Sequence, residues 1–204
     1  VAMTKILITG FEPFGGYLEN SSWAVAKRVA ASGVFNGEVV VEQLPVSYMR
    51  VAQTLRESVC RHNPDVLIML GQSALSDRVK LERVALNLMD ASSSDNDGYA
   101  PDEQPIDRSC DAALFTNMPI KRLLAAVKER NIAAKISNSC GLYVCNRTYF
   151  EGLRLCSEEL AKGAIFIHLP LFEGQASPNA NARTMPLDDM AMAVVAIINE
   201  ITKL

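Results

Sequence analysis

Short apolar runs alternate with amphipathic stretches along the whole chain, the pattern of an α/β layered domain. KILIT, from Lys5 to Thr9, predicts a buried strand that enters the loop GFEPFGG, after which Asn20 or Ser21 is placed to cap a helix running to about Ala31. VVVEQL, Val39 to Leu44, predicts a second strand, followed by a helix from about Met49 to Arg61 that Pro64 terminates from outside. VLIML, Val66 to Leu70, is an unbroken apolar run ending at Gly71 and reads as a central strand. Val84, Leu86 and Leu88 alternate with Ala85 and Asn87, which predicts a strand with one buried face.

Between Asp90 and Ser109 the composition shifts to Ser, Asp, Asn, Pro and Gly, so a long surface loop is expected. A loop of that length inside a compact domain is uncommon unless it is functional or mobile. A helix returns from Pro119 to Arg130, then AKIS, Ala134 to Ser137, as a strand. The stretch SNSCGLYVCNRTYF opens a helix to about Leu160, AIFI, Ala164 to Ile167, is a strand, and a polar loop extends through Arg183. In the last helix Leu187, Met190, Val194, Ile197 and Ile201 recur at three and four residues, giving one stripe to pack on the sheet. No repeat, linker or low-complexity segment interrupts the chain. With 204 residues, 49% of them hydrophobic, a single domain over 1-204 is expected. Val1 and Ala2 ahead of Met3 read as an expression remnant, with the native chain starting at Met3.

Charge and cysteine usage narrow the chemistry. Twenty basic against 23 acidic residues give a net charge of −3 with no basic stripe, so nucleic acid is not an expected partner. The longest apolar run, Met190 to Ile198, falls short of the roughly 20 residues of a membrane helix. A soluble cytoplasmic protein with no membrane partner is expected. The five cysteines, Cys60, Cys110, Cys140, Cys145 and Cys156, are odd in number and contain no CxxC pair, which predicts free thiols. The only histidines are His62 and His168, too few for a usual zinc site, and neither a metal nor another cofactor is expected. The gap between Cys140 and Cys145 also differs from the CxxC of dithiol oxidoreductases.

In open α/β sheets, sites lie beyond the carboxyl ends of strands. GFEPFGG, Gly71-Gln72, Cys145 and His168 each follow a predicted strand, and Cys145 falls near a helix N-terminus, where free N–H groups and the macrodipole favour a thiolate and an oxyanion. The competing reading is plain packing. Cys145, Tyr149, Gly152 and Cys156 share one helical face, and a free cysteine on such a face is more often a small core hydrophobe than a nucleophile, so spacing alone favours the core. Cys60, Cys110, Cys140 and Cys156 are assigned to packing. His168 suits a satisfied strand-end histidine as well as a base, and His62 a solvated helix C-terminus. GFEPFGG lacks the Lys-Ser/Thr of a P-loop and the spacing of GxGxxG, whereas Phe11 and Phe14 suit a flat apolar surface for a small ring. Glu82, inside KLERVALN, reads by itself as a solvated charge at a strand start, and Asp77 and Arg78 give no stronger signal.

TGFEPFGG with Asn20 and Trp23 behind it, Gly71-Gln72, ERVALNLMDA followed by Asp95-Asn96-Asp97-Gly98, SNSCGLYVCN and IHLP occur in this order. Together, and over nearly the whole chain, they resemble the pyroglutamyl peptidase I (pyrrolidone-carboxylate peptidase) family of cysteine peptidases. The resemblance implies a three-layer α/β/α open sheet, mostly parallel but mixed, often assembled as a homotetramer. It implies hydrolytic removal of N-terminal pyroglutamyl residues from peptides. The family's catalytic residues fall on Glu82, Cys145 and His168: Cys145 would attack the pyroglutamyl carbonyl, His168 would shuttle the proton and Glu82 would orient the imidazole. Phe11 and Phe14, with Tyr143 and Val144, would sandwich the ring while Gln72 or backbone groups meet its polar edge. The chain departs from the family pattern at Ala74-Leu75-Ser76, Cys140, Leu142 and Ser93. Two alternatives follow: a binding homologue that lost turnover through the loop from Gln72 to Lys80, and a thiol redox protein using Cys140 and Cys145.

Overall fold

The structure, a computed structural model, describes residues 3–204, and the expectation for Val1 and Ala2 lies outside the described residues. Its centre is a six-stranded sheet built from β1 (Lys5–Phe11), β2 (Glu38–Leu44), β3 (Val66–Gln72), β4 (Val79–Glu82), β7 (Ala134–Ser137) and β8 (Gly163–Leu169), in the order β2-β1-β3-β8-β4-β7. All neighbours are parallel except β4 and β8, so the expected mostly parallel, mixed sheet is present. β3 and β8 lie at its middle with every residue buried, which is why both read as continuous apolar runs.

Helices cover both faces. The helices α1 (Ser21–Ser32), α3 (Ile120–Lys128) and α5 (Leu187–Ile201) pack together on one side, and α2 (Val51–His62) and α4 (Val144–Ser157) on the other. Strand alternation decides which side chain meets which layer. Ile68 and Leu70 of β3, Leu81 of β4, and Ile165, Ile167 and Leu169 of β8 join the aliphatic core beneath α1, α3 and α5. Leu7 and Phe11 of β1, Leu67 and Met69 of β3, and Phe166 of β8 face α2 and α4. By the same period of two, Gly71, Glu82 and His168 belong to the α2/α4 face.

Local chemistry sets the element ends. Asn20 is extended (φ −127°, ψ 121°) and its side chain accepts the Ser22 backbone N–H at 3.0 Å, a capped start for α1. Asn63, left-handed at φ 48°, stops α2 one residue before Pro64. The α4 helix ends at Ser157, three residues before the predicted limit, where Glu158 leaves helical geometry and Glu159 turns left-handed at φ 61°.

Three expectations need correction. VKLE forms a strand, β4, inserted between β8 and β7, so Glu82 is fully buried and not a solvated charge. Its alternating Lys80 and Glu82 hide the strand from an apolar-run criterion. The stretch expected as one strand from Val84 to Leu88 is a short β5 (Val84–Leu86) that leaves the main sheet and pairs antiparallel with β6 (Ala113–Phe115), and successive Val84 and Ala85 are both buried. His62 ends α2 as expected, but it is partly buried with Nε2 2.6 Å from Glu42 Oε1, so it is not simply solvated. The 90 to 109 segment is an irregular loop fastened at several points. The Asp95 carboxylate accepts the N–H groups of Tyr48, Asp97 and Tyr99, and Asn96 Nδ2 donates to Glu12 Oε1 and to the Pro13 carbonyl.

Candidate active site

The candidate nucleophile is the second residue of α4. Tyr143, the N-cap, offers no side-chain acceptor, so the first N–H groups of the helix stay free beside the Cys145 thiol. This contrasts with the Asn20 cap of α1, and it leaves a helix N-terminus ready for developing negative charge. Cys145 approaches the sheet over Gly71: a Cβ on that glycine would lie 3.0 Å from Cys145 Sγ and 2.7 Å from the Phe166 ring. The sulfur fits there because position 71 has no side chain.

Gly71 pairs with His168 across the β3/β8 ladder. His168 is buried, with its ring 4.9 Å from that of Phe166. Its Nδ1 is 2.8 Å from Glu82 Oε1. Glu82 pairs with Phe166 on the antiparallel β4, one same-face step along β8 from His168, so its carboxylate reaches diagonally to the ring. With Nδ1 engaged by Glu82, Nε2 is the ring nitrogen left for the neighbouring Cys145, whose sulfur sits over Gly71, the β3 partner of His168. Burial alone would lower the His168 pKa, but the Cys145 thiolate and the Glu82 carboxylate outweigh it and raise the pKa to about 9. A protonated imidazole is thereby favoured near neutral pH. Glu82 Oε2 is buried without a partner, and the Tyr149 hydroxyl donates to the Glu82 backbone carbonyl at 2.9 Å.

Asn146 follows the nucleophile and is fully buried. Its Nδ2 donates to the carbonyls of Leu86 (2.8 Å) and Leu88 (3.0 Å), and its Oδ1 accepts the Leu86 N–H (2.9 Å). This side chain ties the first turn of α4 to the segment just beyond Glu82. Its adjacency to Cys145 is the only sequence signal for that role. Cys140 is buried, and its thiol donates to Asn146 Oδ1 and the Val84 carbonyl, while burial first and the nearby Glu82 charge next push its pKa well above the ordinary thiol range. All five cysteines are free.

Beside Cys145 the structure gathers Phe11, Phe14, Gln72, Tyr143 and Val144, all five residues expected around the ring, together with Asn20 and Val46. The Phe14 and Tyr143 rings are 6.0 Å apart, and Tyr143 is held by an edge contact with Tyr48 and by its hydroxyl donating to the Ser94 carbonyl. The cavity is about 10 Å³, near the size of one water, so a five-membered ring needs more room than this conformation leaves. Larger hollows of about 450 and 360 Å³ are lined by none of these residues, and chemistry rather than volume marks the site. The unusual Ala74-Leu75-Ser76 segment closes its own turn, with Ser76 N–H donating to the Ser73 carbonyl and Ser76 Oγ to the Arg78 carbonyl. Gln72 is held independently of it: its Oε1 accepts the Ser21 N–H at 2.9 Å and Gln175 Nε2 at 2.8 Å. Nothing in the polar loop after His168 marked Gln175 in advance. Among the described residues no cluster of potential metal ligands and no helix long and apolar enough to cross a membrane is present.

A thiol at a helix N-terminus, an imidazole within its reach and a carboxylate behind the imidazole, set on an open α/β/α sheet, define a cysteine-dependent acyl-transfer hydrolase. Comparison with known proteins narrows the class. The family profile described as pyroglutamyl peptidase matches residues 4–203, and the chain belongs to that family. A pyrrolidone-carboxylate peptidase of Thermococcus onnurineus is 36% identical over 195 residues, covering 95% of this chain and 96% of the relative. One from Bacillus subtilis is 34% identical over 193 residues, covering 93% and 88%. The crystal structure of pyroglutamyl peptidase I from Bacillus amyloliquefaciens superposes with a TM-score of 0.92 at 32% identity over 98% of both chains. The pyrrolidone carboxyl peptidase of Fervidobacterium islandicum gives 0.89 at 32% identity, covering 98% of this chain and 99% of that one.

Proposed function

We propose that this chain hydrolyses the bond after an N-terminal pyroglutamyl residue, with Cys145, His168 and Glu82 as the catalytic set. The observation that carries the reading is the contiguous arrangement of Cys145, His168 and Glu82, with the 2.8 Å Nδ1 to Oε1 contact, next to a small apolar pocket containing one buried amide donor. Cys145 Sγ attacks the pyroglutamyl carbonyl carbon, and the free N–H groups at the start of α4 receive the oxyanion. As the tetrahedral intermediate collapses, the C–N bond breaks and His168 Nε2 gives its proton to the leaving amine. Water then adds to the thioester, His168 takes its proton, and collapse releases pyroglutamate and returns the Cys145 thiol. Glu82 holds the imidazole with Nε2 toward the sulfur throughout and stabilises its charged form.

The pocket suits a neutral flat lactam. Phe11, Phe14, Tyr143 and Val144 supply apolar contact, and Gln72 Nε2, buried and unpartnered, supplies a donor for the ring carbonyl. The free thiols favour a reducing compartment, and we take the cytoplasm as the site of action and a homotetramer as the working form, the latter to be measured by light scattering. Release of a fluorescent amine from a pyroglutamyl amide under reducing conditions tests the reading. Turnover is expected from the unaltered chain and none from Cys145→Ser, and a well-folded wild-type chain without turnover would overturn it in favour of a binding homologue.

A further inference from the structure

Gln72 and Gln175 form a pair whose orientation is dictated by backbone groups that cannot exchange roles. The Ser21 N–H, at the first residue of α1, can only donate, and it meets Gln72 Oε1 at 2.9 Å. The Phe172 N–H can only donate, and it meets Gln175 Oε1 at 3.1 Å. The Glu19 carbonyl can only accept, and it receives Gln175 Nε2 at 3.1 Å. The remaining contact, Gln175 Nε2 to Gln72 Oε1 at 2.8 Å, closes the chain. Both amides therefore have one satisfiable orientation, and in it Gln72 Nε2 is the group left over: buried, unpartnered, on a residue that lines the pocket with Phe11, Phe14 and Cys145.

From this we infer that Gln175 is a specificity-determining positioning residue, which locks the Gln72 amide with its N–H groups toward the ring pocket and so selects a five-membered ring bearing a carbonyl. The inference rests on the pyroglutamyl reading above and deepens it. A lactam oxygen satisfies the waiting donor, whereas the prolyl ring places a methylene there and leaves a buried N–H unpaired, the arrangement by which sites reject an analogue lacking a polar atom. A flipped Gln72 would instead present its oxygen to the lactam oxygen and forfeit the Ser21 N–H. Gln175 can hold the lock because it is itself fixed: its backbone N–H donates to the Phe172 carbonyl at 3.0 Å in a turn where Gly174 takes φ 84°. That turn follows β9 (Leu171–Phe172), which continues from the strand carrying His168, so ring recognition and proton transfer are fastened to one run of chain.

The test compares Gln175→Met, which keeps most of the volume and loses the donor, with Gln175→Glu, which keeps the shape and opposes Gln72 Oε1 with an acceptor. Since the lost interaction is made equally before and during reaction, KM for a pyroglutamyl amide is expected to rise about tenfold in Gln175→Met and more in Gln175→Glu, with kcat within about twofold of wild type. Calorimetric titration with 2-pyrrolidone, the ring alone, should show Kd rising in parallel. In a Gln72→Met background, Gln175→Met should add less than about twofold, because its effect passes through Gln72. Wild-type KM and Kd in both folded Gln175 variants, or full additivity with Gln72→Met, would overturn the inference. A wild-type chain that binds 2-pyrrolidone without turning over the amide would count against the peptidase reading and leave the positioning role standing.

Discussion

The two faces of the sheet are built from different materials. Beneath α1, α3 and α5 the buried apolar cluster is aliphatic apart from Met185 and Met190 and contains no fully buried aromatic ring. Beneath α2 and α4 the core contains Phe11, Tyr48, Tyr149, Phe150 and Phe166 and four of the five cysteines, and it receives His168, Glu82 and Asn146. Aromatic rings tolerate such company: they present flat apolar area to the imidazole and, in Tyr149, a hydroxyl to the backbone beside Glu82. One face supplies stability with few polar groups to satisfy, and the other holds buried charge in a fixed arrangement. Adjacent residues of one strand serve opposite ends of that division.

The strongest way to break the contrast is to alter two neighbours on β8. His168→Ala is expected to remove detectable turnover at any folded fraction, with some stability also lost because the buried Glu82 carboxylate is left without its partner. Ile167→Ala should cost about 2–5 kcal/mol of stability and retain kcat at temperatures where it remains folded. Comparable activity losses in the two, at equal folded fraction, would erase the distinction.

Glu82→Gln probes the chemical face more gently. Activity should fall by about a hundredfold rather than vanish, because the amide still orients the ring but no longer stabilises its charge. The pH profile sharpens the point. His168, with its pKa raised to about 9, keeps its proton through neutral pH and loses it near 9, so kcat/KM of the wild-type enzyme should decline above that pH as the leaving amine loses its acid. In Glu82→Gln the alkaline decline should begin at lower pH, and an unmoved limb would mean that the carboxylate does not sustain the imidazolium.

A smaller effect separates two thiols within the same layer. Brief treatment with limiting iodoacetamide should label Cys145 ahead of Cys140 by at least about tenfold, read by peptide mass mapping, with activity lost in parallel. The preference should shrink in His168→Ala. Equal labelling would restore the redox alternative.

Much of the fold could be read from the chain because the buried strands are apolar runs and the helices carry clear stripes; β1, β3, β8 and α5 are of this kind. GFEPFGG, Gln72 and His168 do lie at the carboxyl ends of β1, β3 and β8, and Cys145 at the start of α4, where the strand and helix pattern placed them. Glu82 was legible only through the family motif. It lies on a strand whose charged alternate positions look solvated until β8 and β7 enclose them, and that enclosure is a tertiary fact. Gln175 was silent for a related reason: a polar residue in a polar loop gains meaning only from the backbone donor and the two carbonyls that surround it in space.

The placement of β8 has a consequence for how the enzyme comes to life. This strand is the last of the main sheet in chain order, yet it lies between β3 and β4, so it joins the β2-β1-β3 half of the sheet to the β4-β7 half. Cys145 precedes β8 in the chain, and His168 lies on that strand. The joining of the two halves of the sheet and the contact of His168 with Glu82 therefore depend on the same late strand.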